Sequence, residues 1–414
     1  MQGKPMGSVQ DSLEFMISQL KDEDRLSIVT YNDSVSVDMD LTKMDKLGKS
    51  KAQTAAKSLA CKGQTNLSGG LLMAVKMLLD RDEPSDVSSV ILFTDGKANR
   101  GITKVNSIIN ATKGCLTDDE SKISIFTFGF GSSHDPICLQ GISDAGNGVF
   151  YYINEDPESI PESFADCLGG LLSVTCQNCT LTCTPLSEGV KINSVETTYP
   201  VTQKEITDQK SGSKKIVHKV NLGDIYSEEH RDIIIDVFLP KIKCETDGYP
   251  VVMFTLEFFD IATSKFRKLT SIQSIDRVAT IKTNQEDYAL SKQYCRVHAA
   301  NAIKTAADCG EKGDFDGAQT VLKEAISHIQ NSISANDPFC KNLITQLQKN
   351  LGDVGDKTSF QSGGFQKCIS SWQSNHRQRS NFVTKNYRNN MKINMVNAYY
   401  SSKNKAAPKY KYYK

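Results

Sequence analysis

Apolar and polar positions change their period twice along this chain. In the first third, short continuous apolar runs at residues 26–31, 90–93, 123–130 and 149–153 read as buried strands, while 35–39 alternates like a strand with one wet face. Between them, 50–60 has helical composition, 71–79 continues as an apolar-faced helix, and 157–172 reads as a closing helix. Strands separated by helices predict an α/β fold, a Rossmann-like doubly wound sheet covered on both faces. The period changes near Ser173. From there to about residue 283 strand patterns dominate, at 190–195, 215–220, 232–239 and 251–259, with turns at Ser211-Gly212-Ser213 and Asp247-Gly248. This predicts an antiparallel β-sandwich.

From Glu286 the pattern is helical. Residues 288–309 form one expected helix, and 310–313 break it. Asp314 can cap a second, whose Phe315, Ala318, Leu322, Ala325, Ile326 and Ile329 recur at helical spacing. A third runs from Pro338 to about 351. One hairpin cannot bury its own face, so this pair is expected to dock on the β-sandwich. The expected organisation is an α/β domain at 1–172, a sandwich at 173–285, a helical region at 286–380, and a Tyr-, Lys- and Asn-rich tail at 381–414 whose composition predicts disorder.

Charge sharpens the picture of that tail. No acidic residue follows Asp356, and the last stretch holds 12 of the 49 Lys and Arg, so the preceding 356 residues carry a net charge of −11. A tail mixing Trp372, Phe382, Tyr387, Tyr399, Tyr400, Tyr410, Tyr412 and Tyr413 with basic residues suits nucleic acid or an anionic membrane, or folds back on the acidic body. No apolar run approaches the roughly 20 residues needed to cross a bilayer, and the first residues show no apolar signal core. The default compartment is therefore cytoplasmic. The 12 cysteines read as free thiols. Cys176, Cys179 and Cys183 lack a second Cys pair for zinc and read as strand thiols. His134 and Asp135 read as a rim loop without a nucleophile beside them.

Two segments carry candidate chemistry. One is Gly63-Gln64-Thr65-Asn66-Leu67-Ser68-Gly69-Gly70-Leu71, leading into a helix; the other is Leu92-Phe93-Thr94-Asp95-Gly96, an apolar strand ending on a carboxylate. Open α/β sheets bind ligands outside the carboxyl ends of their strands. The Thr65 hydroxyl and the Asp95 carboxylate are hard oxygen donors of the type that Mg²⁺ or Mn²⁺ takes.

These segments resemble the second and third loops of a von Willebrand factor type A domain. Phe128-Gly129-Phe130-Gly131 and Ala145-Gly146-Asn147-Gly148-Val149-Phe150-Tyr151 resemble its later strands. The resemblance implies a metal-ion-dependent adhesion site in which Thr65 and Asp95 are ligands. It also implies a first loop, D-x-S-x-S, on a central first strand. Met1 falls just after the point where that loop would end. The chain is therefore expected to be N-terminally truncated, to bind Mg²⁺ only weakly, and to leave 26–31 and 90–93 facing a slot one strand wide. Unpaired buried backbone groups there cost roughly 1–3 kcal/mol each. The order of the three parts, with Leu168-Gly169-Gly170-Leu171-Leu172-Ser173-Val174 at the junction, is similar to intracellular proteins with an intein-like C-terminal (Vwaint) region. Some plant members of that group are RING-type ubiquitin ligases, and no RING spacing occurs in this sequence. The implied function is a non-enzymatic intracellular protein–protein interaction module that takes a protein partner's acidic side chain and no small-molecule substrate. The alternatives are a substrate-binding part of a ubiquitin ligase and a basic-tail nucleic-acid or membrane binder.

Overall fold

Helix α1 (Lys4–Gln19) opens the computed structural model, which describes residues 4–60, 63–116, 123–154, 159–207, 212, 214–279, 286–381, 384 and 386–402. Val9, Leu13 and Met16 recur at helical spacing, and α1 packs them on the α/β part, with Leu20 just beyond its end. Strands β1 (Arg25–Tyr31) and β2 (Val35–Lys43) form an antiparallel hairpin. Its turn is set by Asn32, whose Oδ1 accepts from the Ser34 N–H at 2.9 Å. Helices α2 (Lys46–Ser58) and α3 (Leu67–Leu79) follow. Strand β3 (Ser88–Thr94), helix α4 (Val105–Cys115), β4 (Ile123–Phe130), α5 (Pro136–Ala145), β5 (Phe150–Ile153) and α6 (Ser159–Leu171) complete this part. β3, β4 and β5 run parallel, with Val90 opposite Ile125 and Phe128 opposite Tyr151. β4 is buried along its whole length, as a strand with helices on both faces must be.

The sheet is in two pieces. Among the described residues, no ladder joins β1 and β2 to β3, β4 and β5. The Tyr31 hydroxyl donates to the Phe93 carbonyl and ties the carboxyl end of β1 to that of β3. Six of the seven β1 residues are only half-buried.

The sandwich contains β6 (Val174–Pro185), β7 (Lys191–Glu196), β8 (Val201–Thr207), β9 (Lys214–Tyr226), β10 (Ile234–Phe238), β11 (Thr246–Asp260) and β12 (Lys265–Arg277). Five strands form one antiparallel sheet in the order β12, β11, β6, β9, β8, and β10 pairs with β7. Leu269, Leu256, Leu181, Val220 and Val201 lie opposite one another in a single apolar row across all five strands. Of the turn expected at Ser211-Gly212-Ser213, the two serines lie outside the described residues.

The helical part comprises α7 (Tyr288–Glu311), α8 (Phe315–Gln330), α9 (Pro338–Asp353), the short α10 (Lys357–Ser359), a π-helical turn (Phe360–Gly364), α11 (Phe365–Arg377) and α12 (Asn390–Ser402). Asp287, Asp314 and Asp337 cap α7, α8 and α9, each accepting from a backbone N–H of the first turn. The helices seat chiefly on the α/β part rather than on the sandwich. Gln373 of α11 accepts from the Phe150 N–H at 2.8 Å and donates to Asp144 at 2.9 Å, and Gln366 donates to the Ser132 carbonyl at 2.9 Å. The reach to the sandwich is narrower: Arg296 donates to the Asp232 carbonyl at 2.7 Å.

The tail expected to be disordered is, over residues 386–402, an ordered part of the fold. Lys392, Met395, Val396, Tyr399 and Tyr400 fall on one side of α12 and are buried against α6 and α1. Tyr399 meets Phe15 edge to face at 5.1 Å. Composition pointed the other way because the segment is rich in polar residues, yet its apolar ones keep a helical period. Phe382 and residues 403–414, with Tyr410, Tyr412 and Tyr413, lie outside the described residues.

Candidate functional site

β3 delivers Asp95 to the carboxyl end of the sheet. The turn behind it is fixed by Thr94, whose hydroxyl accepts from the Gly96 N–H at 3.3 Å and lies 3.0 Å from the Gly96 carbonyl. The loop holding Thr65 leads into α3, which Asn66 caps through Gly69 N–H at 3.1 Å. The Thr65 N–H donates to Asn99 Oδ1 at 2.7 Å, and the Thr65 carbonyl accepts from Asn99 and Arg100 at 3.2 and 3.4 Å. The Asn66 N–H donates to the Asn32 carbonyl at 2.9 Å, and Ser68 accepts from the Ile102 N–H at 2.9 Å. Three loops, at 32–34, 63–68 and 94–102, are thus stitched into one edge. A carbon placed on Gly96 would lie 3.6 Å from the Thr65 hydroxyl oxygen, so Thr65 faces the Asp95 turn. The structure brings both sequence-predicted residues to one place, each half-buried.

Whether they fit a divalent cation is a question of donor count. Mg²⁺ takes six oxygens in near-octahedral order. Thr65 and Asp95 offer one hydroxyl and one carboxylate. The amide oxygens of Asn32, Asn66 and Asn99 already accept backbone N–H groups. Among the described residues, no three His, Cys, Asp or Glu side chains are grouped to hold a metal. The chemistry of the donors suits Mg²⁺ or Mn²⁺, but the set is too small for a tight site. Lys97 and Arg100, which sequence reasoning passed over, are exposed on the same edge.

His134 is not on a rim. It is 1% exposed, with its ring edge-on to Phe150 at 5.7 Å and its Nε2 under Gly129. Burial holds its pKa down to about 4. Asp135 caps α5 through the Cys138 N–H at 3.0 Å. Cys179 and Cys183 are fully buried in the sandwich, and burial pushes Cys183 up to about 11.

A second polar cluster lies where the three parts meet. Asp166 on α6 is fully buried and accepts from Arg388 at 2.9 Å, Lys392 at 3.0 Å, Ser380 at 2.9 Å and Tyr151 at 3.1 Å. Burial alone would raise its pKa, but Lys392 and Arg388 outweigh that and hold the carboxyl below the ordinary range. Glu229, between β9 and β10, pairs with Arg231 at 2.6 Å and Arg379 at 3.3 Å. Arg379 also lies over the Tyr226 ring at 4.2 Å and donates to the Asn147 carbonyl at 2.7 Å. Arg377 pairs with Asp144 at 2.8 Å. Four basic side chains of the C-terminal stretch are therefore engaged inside the molecule.

Residues 1–166 match the von Willebrand factor type A domain family, the region that carries the parallel strands and the Thr65 and Asp95 loops. The chain carries a von Willebrand factor type A domain. Beyond this VWA domain, residues 286–391 match the family described as CPSF6-like, RSLD domain, N-terminal region. A von Willebrand factor type A structure from Catenulispora acidiphila superposes with a TM-score of 0.64 at 17% identity, over 87% of this chain and 85% of that one. The likeness thus extends past the VWA domain to the added strands and the helical C-terminal region. The E3 ubiquitin-protein ligase WAV3 of Arabidopsis thaliana is 28% identical over 268 residues, 64% of this chain and 32% of that protein. The uncharacterized protein YfbK of Escherichia coli is 30% identical over 147 residues, 35% of this chain and 25% of that protein. The chain thus spans about a third and a quarter of these two relatives.

Proposed function

We propose that this chain is a non-enzymatic protein–protein interaction module whose VWA domain presents the edge built by loops 32–34, 63–68 and 94–102 to an acidic partner. The observation that carries this reading is the stitched edge itself. Its backbone is held before any partner arrives, which lowers the ordering cost of binding. Exposed Lys97 and Arg100 beside Thr65 and the Asp95 turn favour a carboxylate. The metal-ion-dependent adhesion site is degenerate in this reading, because its donor set is short. A cytoplasmic setting agrees with the free thiols of all the described cysteines.

The test is affinity capture with the intact chain, Arg100→Glu and Asp95→Ala, each with Mg²⁺ and with EDTA. Binding should fall sharply in Arg100→Glu and change little with EDTA. A partner retained equally by both variants would show that the edge is not the binding surface. Calorimetry should find Mg²⁺ affinity no tighter than millimolar, and a micromolar value would overturn the degenerate-site reading.

The likeness to WAV3 favours a second reading, a substrate-binding part of a ubiquitin ligase, since its 268 matched residues exceed the length of the VWA domain. On that reading a captured partner becomes ubiquitinated and less abundant when this chain is overexpressed. Unchanged abundance and modification would count against it. The basic-tail reading rests on Lys385 and the lysines at 403–414, which lie outside the described residues, since Arg377, Arg379, Arg388 and Lys392 pair internally.

A further inference from the structure

Edge strands are normally shortened, bulged, broken by proline or covered, because an open edge invites another strand. Over its first nine residues β12 is neither short, bulged, broken by proline nor covered, and its register with β11 shifts only beyond Gln273. It is 13 residues long, contains no proline, and pairs with β11 without interruption from Lys265 to Gln273. The first ten of its residues are all exposed, and the strand lies at the outer edge of the five-stranded sheet. Three large apolar side chains stand in the open: Phe266 at 78%, Leu269 at 58% and Ile272 at 56% exposure. Two of its charges are matched along the ladder rather than left unpaired at the edge, since Arg267 pairs with Asp260 at 3.5 Å and Lys268 with Glu257 at 3.1 Å, both on β11 and both at the surface.

The spacing of the three apolar residues points to the occupant. They are placed symmetrically about Leu269. Two copies of one edge strand can meet antiparallel about a twofold axis normal to the sheet, and the residue on the axis then faces itself. With the axis at Leu269, Leu269 meets Leu269 and Phe266 meets Ile272. Lys265 meets Gln273, Arg267 meets Ser271 and Lys268 meets Thr270, so no like charges are opposed. Neighbouring registers are worse. An axis at Lys268 sets that lysine against itself. One at Thr270 leaves Phe266 opposite Ser274, and one at Ser271 opposes Lys265 to Arg277 and Phe266 to Asp276.

We propose that β12 is a homodimerisation edge, in which a second copy of this chain adds its own β12 in the register centred on Leu269. The apolar row from Val201 to Leu269 then runs on into the same row of the second copy, making one ten-stranded sheet. Such an interface is isologous and closes at two copies.

Sedimentation of the intact chain across a dilution series should show a monomer–dimer equilibrium. Leu269→Lys sets two ammonium groups against each other on the axis and should yield monomers whose melting temperature no longer depends on concentration and matches that of the parent chain at high dilution. In a Cys244→Ser background, Leu269→Cys should form an intermolecular disulfide readily under mild oxidation. Phe266→Cys should do so much more slowly, because its thiol faces Ile272. The double variant Phe266→Cys with Ile272→Cys should again cross-link fast. Monomers at every concentration would overturn the proposal. So would a dimer that survives Leu269→Lys, a ladder of higher species, or Phe266→Cys linking as fast as Leu269→Cys.

Discussion

A buried histidine with no room to be protonated makes stability depend on pH in a direction that can be worked out. His134 has a folded pKa of about 4, set first by burial, against about 6.5 when unfolded. A depressed histidine pKa means that the unfolded chain binds the extra proton first as pH falls. The contribution is therefore whole above about pH 6.5 and is lost progressively toward pH 4, for a total on the order of 3 kcal/mol. Denaturant titrations at pH 7.5, 5.5 and 4.5 should show this decline, and His134→Gln should make it shallower. His376, also held down to about 4 by burial, accounts for part of what remains. Parallel losses in the two proteins would mean that the His134 imidazole is not the titrating group. The site residues differed in how readable they were. Thr65 and Asp95 stand in strings that fix both neighbours and spacing. Asn99 and Arg100 act on Thr65 across 34 and 35 residues of sequence, and nothing local marks them. His134 was misplaced because its position after a strand suggests a rim, while Phe150 and Tyr152, which enclose it, come from the next strand.

Among the elements, most strands and the first three C-terminal helices were legible because each keeps one period for at least a turn or a few alternations, whereas β8 and β12, with polar residues on both faces, and α4, α5 and α11 were not read. α1 was missed although Val9, Leu13 and Met16 mark it, and α12 was hidden by its polar composition. The expected gap between β1 and β3 corresponds to a sheet in two pieces, with the Tyr31 hydroxyl as the cross-link. Tyr31→Phe removes that bond and should lower stability by about 1 kcal/mol, read as a shift in denaturant midpoint. A peptide carrying an apolar strand that ends in Asp-x-Ser-x-Ser should raise the melting temperature by pairing with both open edges. It should also tighten Mg²⁺ binding, in a manner that Asp95→Ala abolishes. If a scrambled peptide works as well, the edges do not select a strand.

For the molecule as a whole, the charge imbalance along the sequence was visible but its resolution was not. The acidic body and the basic C-terminal stretch meet as specific buried pairs at Asp166 and Glu229. Pairing over such separations follows from packing, which no local pattern reports. Asp166→Ala would leave Arg388 and Lys392 buried beside an empty site, and breaking such a pair costs about 3–5 kcal/mol. Because the folded Asp166 pKa is depressed, its contribution is whole above the unfolded value of about 3.9 and is lost progressively as pH falls from there through the folded value. Thermal melts at pH 7 and pH 3 should therefore show a larger gap between Asp166→Ala and the parent at the first than at the second. An equal gap at both would show that packing, not charge, is lost. Deleting residues 381–414 should act like Asp166→Ala and, in addition, bare the apolar faces of α6 and α1.

The junction also sets an order of events during synthesis. Lys392 lies 226 residues after Asp166, so at about 5–20 residues per second the ribosome needs on the order of ten to tens of seconds to supply that counter-ion. Through that interval the nascent VWA domain holds a carboxylate without its cations and a helix face without its cover. It is then a natural client for a holding chaperone. Release follows arrival of 377–402, so a premature stop shortly before that segment would leave three nearly complete parts that never lock, marked for degradation although the loops at 32–34, 63–68 and 94–102 are intact.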